Sequence, residues 1–344
     1  VRDILTNDEL LATTGALSDT AQTCLARIVV WELRLLPERF GRPMIADAPR
    51  AGEPAQMDVL ALGKFGGREM NYHSDLDIVF LYEADGSTDP GRSSDSGEAT
   101  SNQHFFSQLA QRIIKRTSHL GAHGRLYAVD ARLRPTGKSG ALATSLDQFA
   151  RYFAEGEGQL WERQALCKAR VVVGSAEMAE ATMAVVATAA MEHPWERRYA
   201  DEIRAMRGRL EETATADNLK RGAGGIVDIE FLVQMLQLKH GRATPAVRAA
   251  NTLRALDVLH EAGCLADEDH RQLEVSYRFL RTLEGRLRLM NFTARDKLPD
   301  DPTELAKLAQ LLRSPSGEAL LDDFAKHTQE IRRRFDRIFD AEGE

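Results

Sequence analysis

The hydrophobic pattern of this chain changes period near residue 175, and that change limits the fold more than any other feature. Before it, short apolar runs such as Met57–Leu62 and Asp77–Tyr82, rich in Val, Ile, Leu and Phe and bounded by glycine or polar clusters, have the length and composition of covered β-strands. After it, strand signals fade and apolar residues recur at intervals of three and four to the end of the chain. The expected class is α+β, a sheet-bearing domain followed by a helical bundle. A chain of 344 residues exceeds what one hydrophobic core usually supports. The pattern divides it into an N-terminal helical segment (1–50), a sheet-bearing domain (51–175) and an all-α domain (176–344).

Within that frame, Asp8 to Leu36 reads as helix through Leu17, Ala21, Leu25, Val29 and Leu33. Phe40–Gln56, with Gly41, Pro43, Pro49, Gly52 and Pro54, reads as a connection, and Glu83–Asn102, nearly devoid of apolar residues, as a long loop. Gln103–Arg116 resumes helical spacing through Phe106, Leu109, Ile113 and Ile114, and Leu126–Leu133 reads as a further strand. In the second half, Leu273, Tyr277, Leu280 and Leu287 define one helix face. Leu321, Phe324, Thr328, Ile331, Phe335 and Ile338 define another, with Arg332, Arg333 and Arg334 mostly off it as solvated charges.

Hydrophobic residues at 43% and charged residues at 28% describe a chain that folds rather than a disordered one. A net charge of -7 supplies no overall field for a polyanion, which argues against nucleic acid and leaves only a local basic lining of one cleft. Cys24, Cys167 and Cys264 are far apart and odd in number, so neither a zinc site nor a disulfide framework is indicated and a reducing, cytoplasmic setting fits. No apolar run approaches the ~20 residues of a membrane span, and the N-terminus lacks a signal-peptide layout. The chain opens at Val1 in helical sequence, which suggests a fragment of a longer protein.

The chemistry concentrates in the segment from Leu62 to Asp77, where a strand, the pair Gly66 and Gly67, and an Asp-x-Asp precede a second strand. Glycines let a backbone approach a ligand closely, although such a pair is more often an ordinary turn. Asp75 and Asp77 stand two residues apart, the spacing at which strand side chains share a face, about 6.5 Å apart. Like charges held that close repel by several kcal/mol at intermediate dielectric, a cost a hard divalent cation such as Mg²⁺ removes. The competing reading makes Asp75 a turn cap and Asp77 a solvated acid. A third carboxylate, Asp130, shares one face of the strand before Pro135 with Arg132 and Arg134, while Val129, Ala131 and Leu133 take the other. Three carboxylates on neighbouring strands suit two metal ions about 3.5 to 4 Å apart, with the arginines on phosphate oxygens. The alternative is a salt bridge between Asp130 and Arg132 or a neighbour.

Gly66-Gly67, Asp75-x-Asp77 and Asp130 together resemble the polymerase-beta-type nucleotidyltransferase fold. More narrowly, Leu62–Asp77, Val129–Pro135, Trp161–Arg170 and Asn218–Gln234 are similar to glutamine synthetase adenylyltransferase, and these segments span most of the chain. The resemblance implies a mixed-sheet nucleotidyltransferase domain before the bundle, ATP as substrate and two Mg²⁺ ions as cofactors. Asp75, Asp77 and Asp130 would bind the metals, with Asp130 also orienting or deprotonating the acceptor tyrosine. Gly66, Gly67 and Ser74 would contact the triphosphate. Lys168 and Arg170 would contact phosphate or acceptor, or else be solvated charges on an element whose Trp161 and Leu166 pack inward. The helix after Gly222 carries Ile229, Leu232, Val233 and Leu236 as a buried stripe and Glu230, Gln234 and Gln237 on a polar flank; Asp228 and Glu230 stay outside the catalytic set.

Full-length members of that family hold two such units, one attaching AMP to a tyrosine of glutamine synthetase and one removing it by phosphorolysis. This chain has room for one, and Gly124–Asp130 with Ser139–Leu146 look more like the adenylylating unit. The resemblance also implies regulation by glutamine and a nitrogen-signalling trimer. The rivals are the removing unit, a nucleotidyltransferase with another acceptor (a signal protein, a small aminoglycoside-like molecule or an RNA end), and a silent regulatory module that only binds partners.

Overall fold

The computed structural model describes residues 10–47, 49–89, 99–122, 124–291 and 293–343, and it is α+β, about 59% helical. Two compact units divide the chain. One holds Ser18–Glu69 and Ser74–Ala190; the other holds Met191–Glu344, the described residues of Val1–Leu17, and Met70–His73.

The first unit is built on strands β1 (Met57–Ala61), β2 (Leu76–Tyr82), β3 (Val129–Asp130), β4 (Ala143–Ser145) and β5 (Arg170–Val173), which among the described residues form one mixed sheet. β1 lies antiparallel between β2 and β5. β3 and β4 lie in series along the other side of β2, both parallel to it. Every residue of β1 is buried, as is every residue of β2 except Asp77, so these runs show no alternation, as strands covered on both faces do. Helix α1 (Leu10–Leu35) and helix α2 (Asn102–Ser118) are the long helices of the first half. Ser101 caps α2 by accepting from the His104 N–H. Phe105, Phe106, Leu109 and Ile113 of α2 are buried, and Phe106 stacks on Tyr82 of β2 with ring centroids 5.1 Å apart. Burial of each such ring stabilises by about 1.5–3 kcal/mol.

Several expectations are corrected here. The buried stripe of α1 runs through Ala21, Leu25 and Val29 but continues through Glu32 and Leu36, while Leu33 is 37% exposed. The inward position goes to a carboxylate because Arg112 and Arg116 of α2 meet it. The strand expected over Leu126–Leu133 shrinks to Val129–Asp130, and Leu126 is exposed. Past Asp130 the turn-forming run from Pro135 to Gly140 pulls the chain off the sheet. The Arg134 guanidinium closes that loop by donating to the carbonyls of Ala131, Gly140 and Ala141. Arg132 and Arg134 therefore do not alternate along a strand. In the connection after α1, Arg42–Pro43 pairs with Thr88–Asp89, and the buried Asn102 side chain donates to Met44 and Ala84 carbonyls. Residues 90–98 of the expected loop lie outside the described residues. Helices α3 (Leu146–Ala154), α4 (Leu160–Leu166) and α5 (Ala176–Met191) complete the unit; Leu166 of α4 packs inward but Trp161 is exposed.

The second unit consists of helices α6 (Arg198–Glu211), α7 (Ile226–His240), α8 (Thr252–Glu261), α9 (Asp267–Met290), α10 (Pro302–Leu311) and α11 (Gly317–Gly343). On α9 the residues Leu273, Tyr277, Leu280 and Leu287 are buried. On α11 the core face is Phe324, Ile331, Phe335 and Phe339, with Leu321 exposed. Arg334 is not a solvated charge: it is buried and meets Glu330, Glu268 at 3.3 Å and Asp269 at 3.4 Å. Arg332 reaches Glu211 at 2.7 Å, and Arg333 alone of the three is exposed. Helix α7 is apolar nearly all round, and its polar flank is buried too: Gln237 donates to the carbonyls of Val247 and Ala249. The glycines before α7 allow close packing, since a Cβ on Gly224 would fall 1.9 Å from the Thr328 carbonyl oxygen of α11.

Candidate active site

β1 ends where the backbone turns through Gly63, and this turn shapes the site. Gly63 has φ +52°, a conformation that L side chains rarely adopt, and a Cβ there would fall 2.3 Å from Oδ2 of Asp77. The space a side chain would fill is taken by the Asp77 carboxylate. Sequence analysis passed over Gly63; its position directly after an apolar strand was the available signal. Residues Gly63–Gly66 form one helical turn, closed by the Gly67 N–H on the Gly63 carbonyl. Gly66 is required for contact with the protein's own chain: a Cβ would lie 1.9 Å from the Lys168 oxygen and 2.7 Å from that of Ala61.

The same turn is braced from β5. Arg170 donates to the carbonyls of Phe65 and Gly66, each at 3.0 Å, and to Gln22 at 2.8 Å. A guanidinium suits the carbonyl end of a helical turn, where partial negative charge collects. Lys168 is buried and meets Glu69 at 2.5 Å, so it is an internal ion pair and not a solvated charge. Arg68 and His73 hold positive φ without being glycine, at 55° and 58°, which stores about 1–3 kcal/mol each on the way to Asp75. Ser74 is half-buried and Asp75 exposed, immediately before β2.

β2 then fixes the carboxylates. Asp77 is the one residue of β2 not buried, and it is the register partner of Asp130 in the parallel pairing with β3. Neighbouring strands lie about 4.8 Å apart, so two ionised carboxylates there repel by roughly 3 kcal/mol at an effective dielectric of 20. Arg132 offsets this: its Nε donates to both oxygens of Asp130 at 2.9 Å, and its backbone N–H adds a bond of 2.9 Å. The side-chain hydrogen bond to Arg132 holds the Asp130 carboxyl below its usual range. In return Asp130 raises the Arg132 guanidinium, with further contributions from Asp77 and Asp75. All three carboxylates thus act on one cation. The expected salt bridge between Asp130 and Arg132 is present.

Among the described residues, no three His, Cys, Asp or Glu side chains stand so placed that they could hold a metal ion. The donor chemistry is that of a hard divalent cation, with Asp77 and Asp130 in register and Asp75 two residues before Asp77, but the side chains as they stand are gathered on Arg132 and not around a metal position. The guanidinium now on Asp130 is 64% exposed, so exchanging it for a metal ion breaks only a surface ion pair, worth about 0–1 kcal/mol.

In the helical unit, Asp228 is wholly buried. It pairs with Arg207, accepts from the Gly224 N–H at 2.7 Å and lies 3.5 Å from Arg332. That is a sealed structural ion pair. Glu230 is half-buried, with the Tyr277 hydroxyl 3.5 Å away. Among the described residues no helix is long and apolar enough to cross a membrane.

Residues 1–185, more than half of the chain, match the family model for glutamate-ammonia ligase adenylyltransferase, and residues 195–340 match that for GlnD PII-uridylyltransferase. Curated relatives include a Burkholderia mallei protein, 34% identical over 98% of this chain and 37% of its own length. A Stenotrophomonas maltophilia protein is 35% identical over 97% and 35%, and one from Streptomyces coelicolor 33% identical over 86% and 29%. All three are named bifunctional glutamine synthetase adenylyltransferase/adenylyl-removing enzyme. The chain spans about 37% of the length of its Burkholderia relatives.

Proposed function

The chain belongs to the glutamate-ammonia ligase adenylyltransferase family, and from that premise we propose that it transfers AMP from ATP to a tyrosine of glutamine synthetase, with Asp75, Asp77 and Asp130 as the catalytic carboxylates. The observation that carries this reading is the register pairing of Asp77 with Asp130, with Asp75 just upstream. It sets acidic oxygens side by side near the start of an otherwise apolar β2.

Two Mg²⁺ ions held by Asp75, Asp77 and Asp130 would neutralise the carboxylates and the triphosphate and stabilise charge on the leaving group. The protein's own part is positioning. Gly63 gives the Asp77 carboxylate its room, and Arg170 and Gly66 hold the turn beneath it. Gly66, Gly67 and Ser74 would lie along the triphosphate, and Arg132, displaced from Asp130, would donate to a phosphate oxygen. Lys168 and Arg170, both occupied within the unit, act as positioning residues, and Arg134 does the same for the loop after β3. In the reaction the tyrosine oxygen attacks the α-phosphorus in line. An O–P bond forms, the bond between the α-phosphorus and the bridging oxygen breaks, and pyrophosphate leaves with that oxygen. Asp130 orients the phenol and accepts its proton. Catalysis of this kind is mostly orientation and charge stabilisation. The helical unit, which matches the family of another protein-modifying nucleotidyltransferase, is read as the part that selects the acceptor.

The test is mass spectrometry of glutamine synthetase after incubation with the chain, ATP and Mg²⁺, beside the Asp77→Asn variant. One AMP gained on a tyrosine, and lost in the variant, supports the proposal. Loss of AMP from pre-adenylylated enzyme when phosphate is supplied would instead identify the removing unit, and neither event would refute the acceptor.

A further inference from the structure

Away from the carboxylates, the first unit has a second concentration of charge, and its sign is opposite. Glu32 of α1 is 1% exposed, and its two oxygens are taken by Nε of Arg112, at 2.6 Å, and Nε of Arg116 on α2. Burial works against the charge on Glu32, but the two guanidinium hydrogen bonds outweigh it and hold the carboxyl below its usual range. The buried acid therefore stays ionised and anchors both arginine forks by their inner nitrogens. Among the described residues, the terminal amino groups of both forks make no hydrogen bond, and Lys115 and His119 carry no ion pair. These four residues and Glu32 line a cavity of about 420 Å³.

The balance of charge is positive. Three cations, Arg112, Lys115 and Arg116, line the cavity with one carboxylate, Glu32, leaving an excess of two positive charges among these four groups. The carbonyl end of α2 opposes an anion by about half a charge, which does not reverse the sign. Bonds between charged groups are the stronger kind of hydrogen bond, and forks already held in place lose less freedom on binding than free side chains do. A volume of this size lies in the range of small-molecule pockets. We infer that the cavity between α1 and α2 is a binding site for a small phosphorylated molecule, received by the terminal amino groups of Arg112 and Arg116 and the Lys115 ammonium.

The site is tested by calorimetric titration of the full chain without divalent cation, so that the three catalytic carboxylates repel anions. The probes are inorganic phosphate and glycerol 3-phosphate. One saturable event is expected, weakened about tenfold by Lys115→Gln, which leaves both Glu32 bonds in place, and lost in Arg112→Gln. Tighter binding of the monoester supports a metabolite; equal binding supports free phosphate as occupant. Absence of saturable binding by either probe, or affinity unchanged in both variants, overturns the inference.

Discussion

Two sets of acids and arginines in this molecule are built from the same groups and differ only in access to water. At Asp130 the partner is Arg132, whose side chain is 64% exposed, and the carboxylate itself is 19% exposed. At Asp228 the carboxylate is 0% and Arg207 1% exposed, and the Gly224 N–H occupies a further acceptor position. An exposed ion pair is worth about 0–1 kcal/mol and can exchange for a ligand, whereas a sealed one cannot be parted without leaving a bare charge in the core. The motif of an acid near an arginine therefore does not separate a site from a scaffold; accessibility does. Glu32 stands between the two, buried itself while its arginines reach water.

The strongest way to break this comparison is at the sealed pair. Asp228→Ala should cost about 3–5 kcal/mol in chemical denaturation, because buried Arg207 loses its buried carboxylate and keeps only the more distant Glu211, at 3.4 Å. A midpoint close to that of the parent would show that the pair is not sealed in solution. Asp77→Asn should do the reverse. Transfer should fall on the order of 10²–10³-fold, about 2.7–4 kcal/mol of transition-state stabilisation, while the melting temperature stays within about 2 °C. A large drop in melting temperature would move Asp77 to the scaffold side.

Asp58 on β1 sharpens the contrast from a third direction, since it is buried with no arginine at all. Its Oδ2 accepts from the Thr182 hydroxyl at 2.7 Å, its Oδ1 has no partner, and burial raises its carboxyl to about 6. Between the unfolded value near 4 and about 6, the native state holds the extra proton, so stability should fall as pH rises through that window and then level off. Asp58→Asn should flatten this dependence and be more stable at pH 8 than the parent by on the order of 2–3 kcal/mol, followed by melting across pH 4–8. The smallest effect is expected at Arg132→Gln, with stability changed by less than about 1 kcal/mol. A larger loss in thermal melts would mean that the exposed pair is not exchangeable.

Much of the frame was legible in the sequence because it rests on local periodicity. The α+β class, β1, β2, α2 and the core face of α9 are patterns of apolar residues a few positions apart. The misreadings share one physical cause: partners distant in sequence. Leu33 was read as the inward position after Val29, and not Glu32, because the arginines that meet Glu32 lie 80 and 84 residues away. Arg334 looked solvated because Glu268 and Asp269 belong to another helix. The strand at Leu126 was overextended because alternation continues in the sequence after the edge of β2 has passed to β4. At the candidate site, the spacing of Asp75 and Asp77 was visible. The alignment of Asp77 with Asp130 is a property of strand register, which no local pattern encodes.

Gly63 makes the aim of a neighbouring carboxylate depend on a residue that carries no side chain. Its backbone conformation is also open to Asn, but the volume a side chain would need is occupied by the Asp77 carboxylate. A larger residue at 63 is therefore accommodated only when Asp77 swings to another rotamer, so a change at 63 re-aims the acid at 77 without altering it.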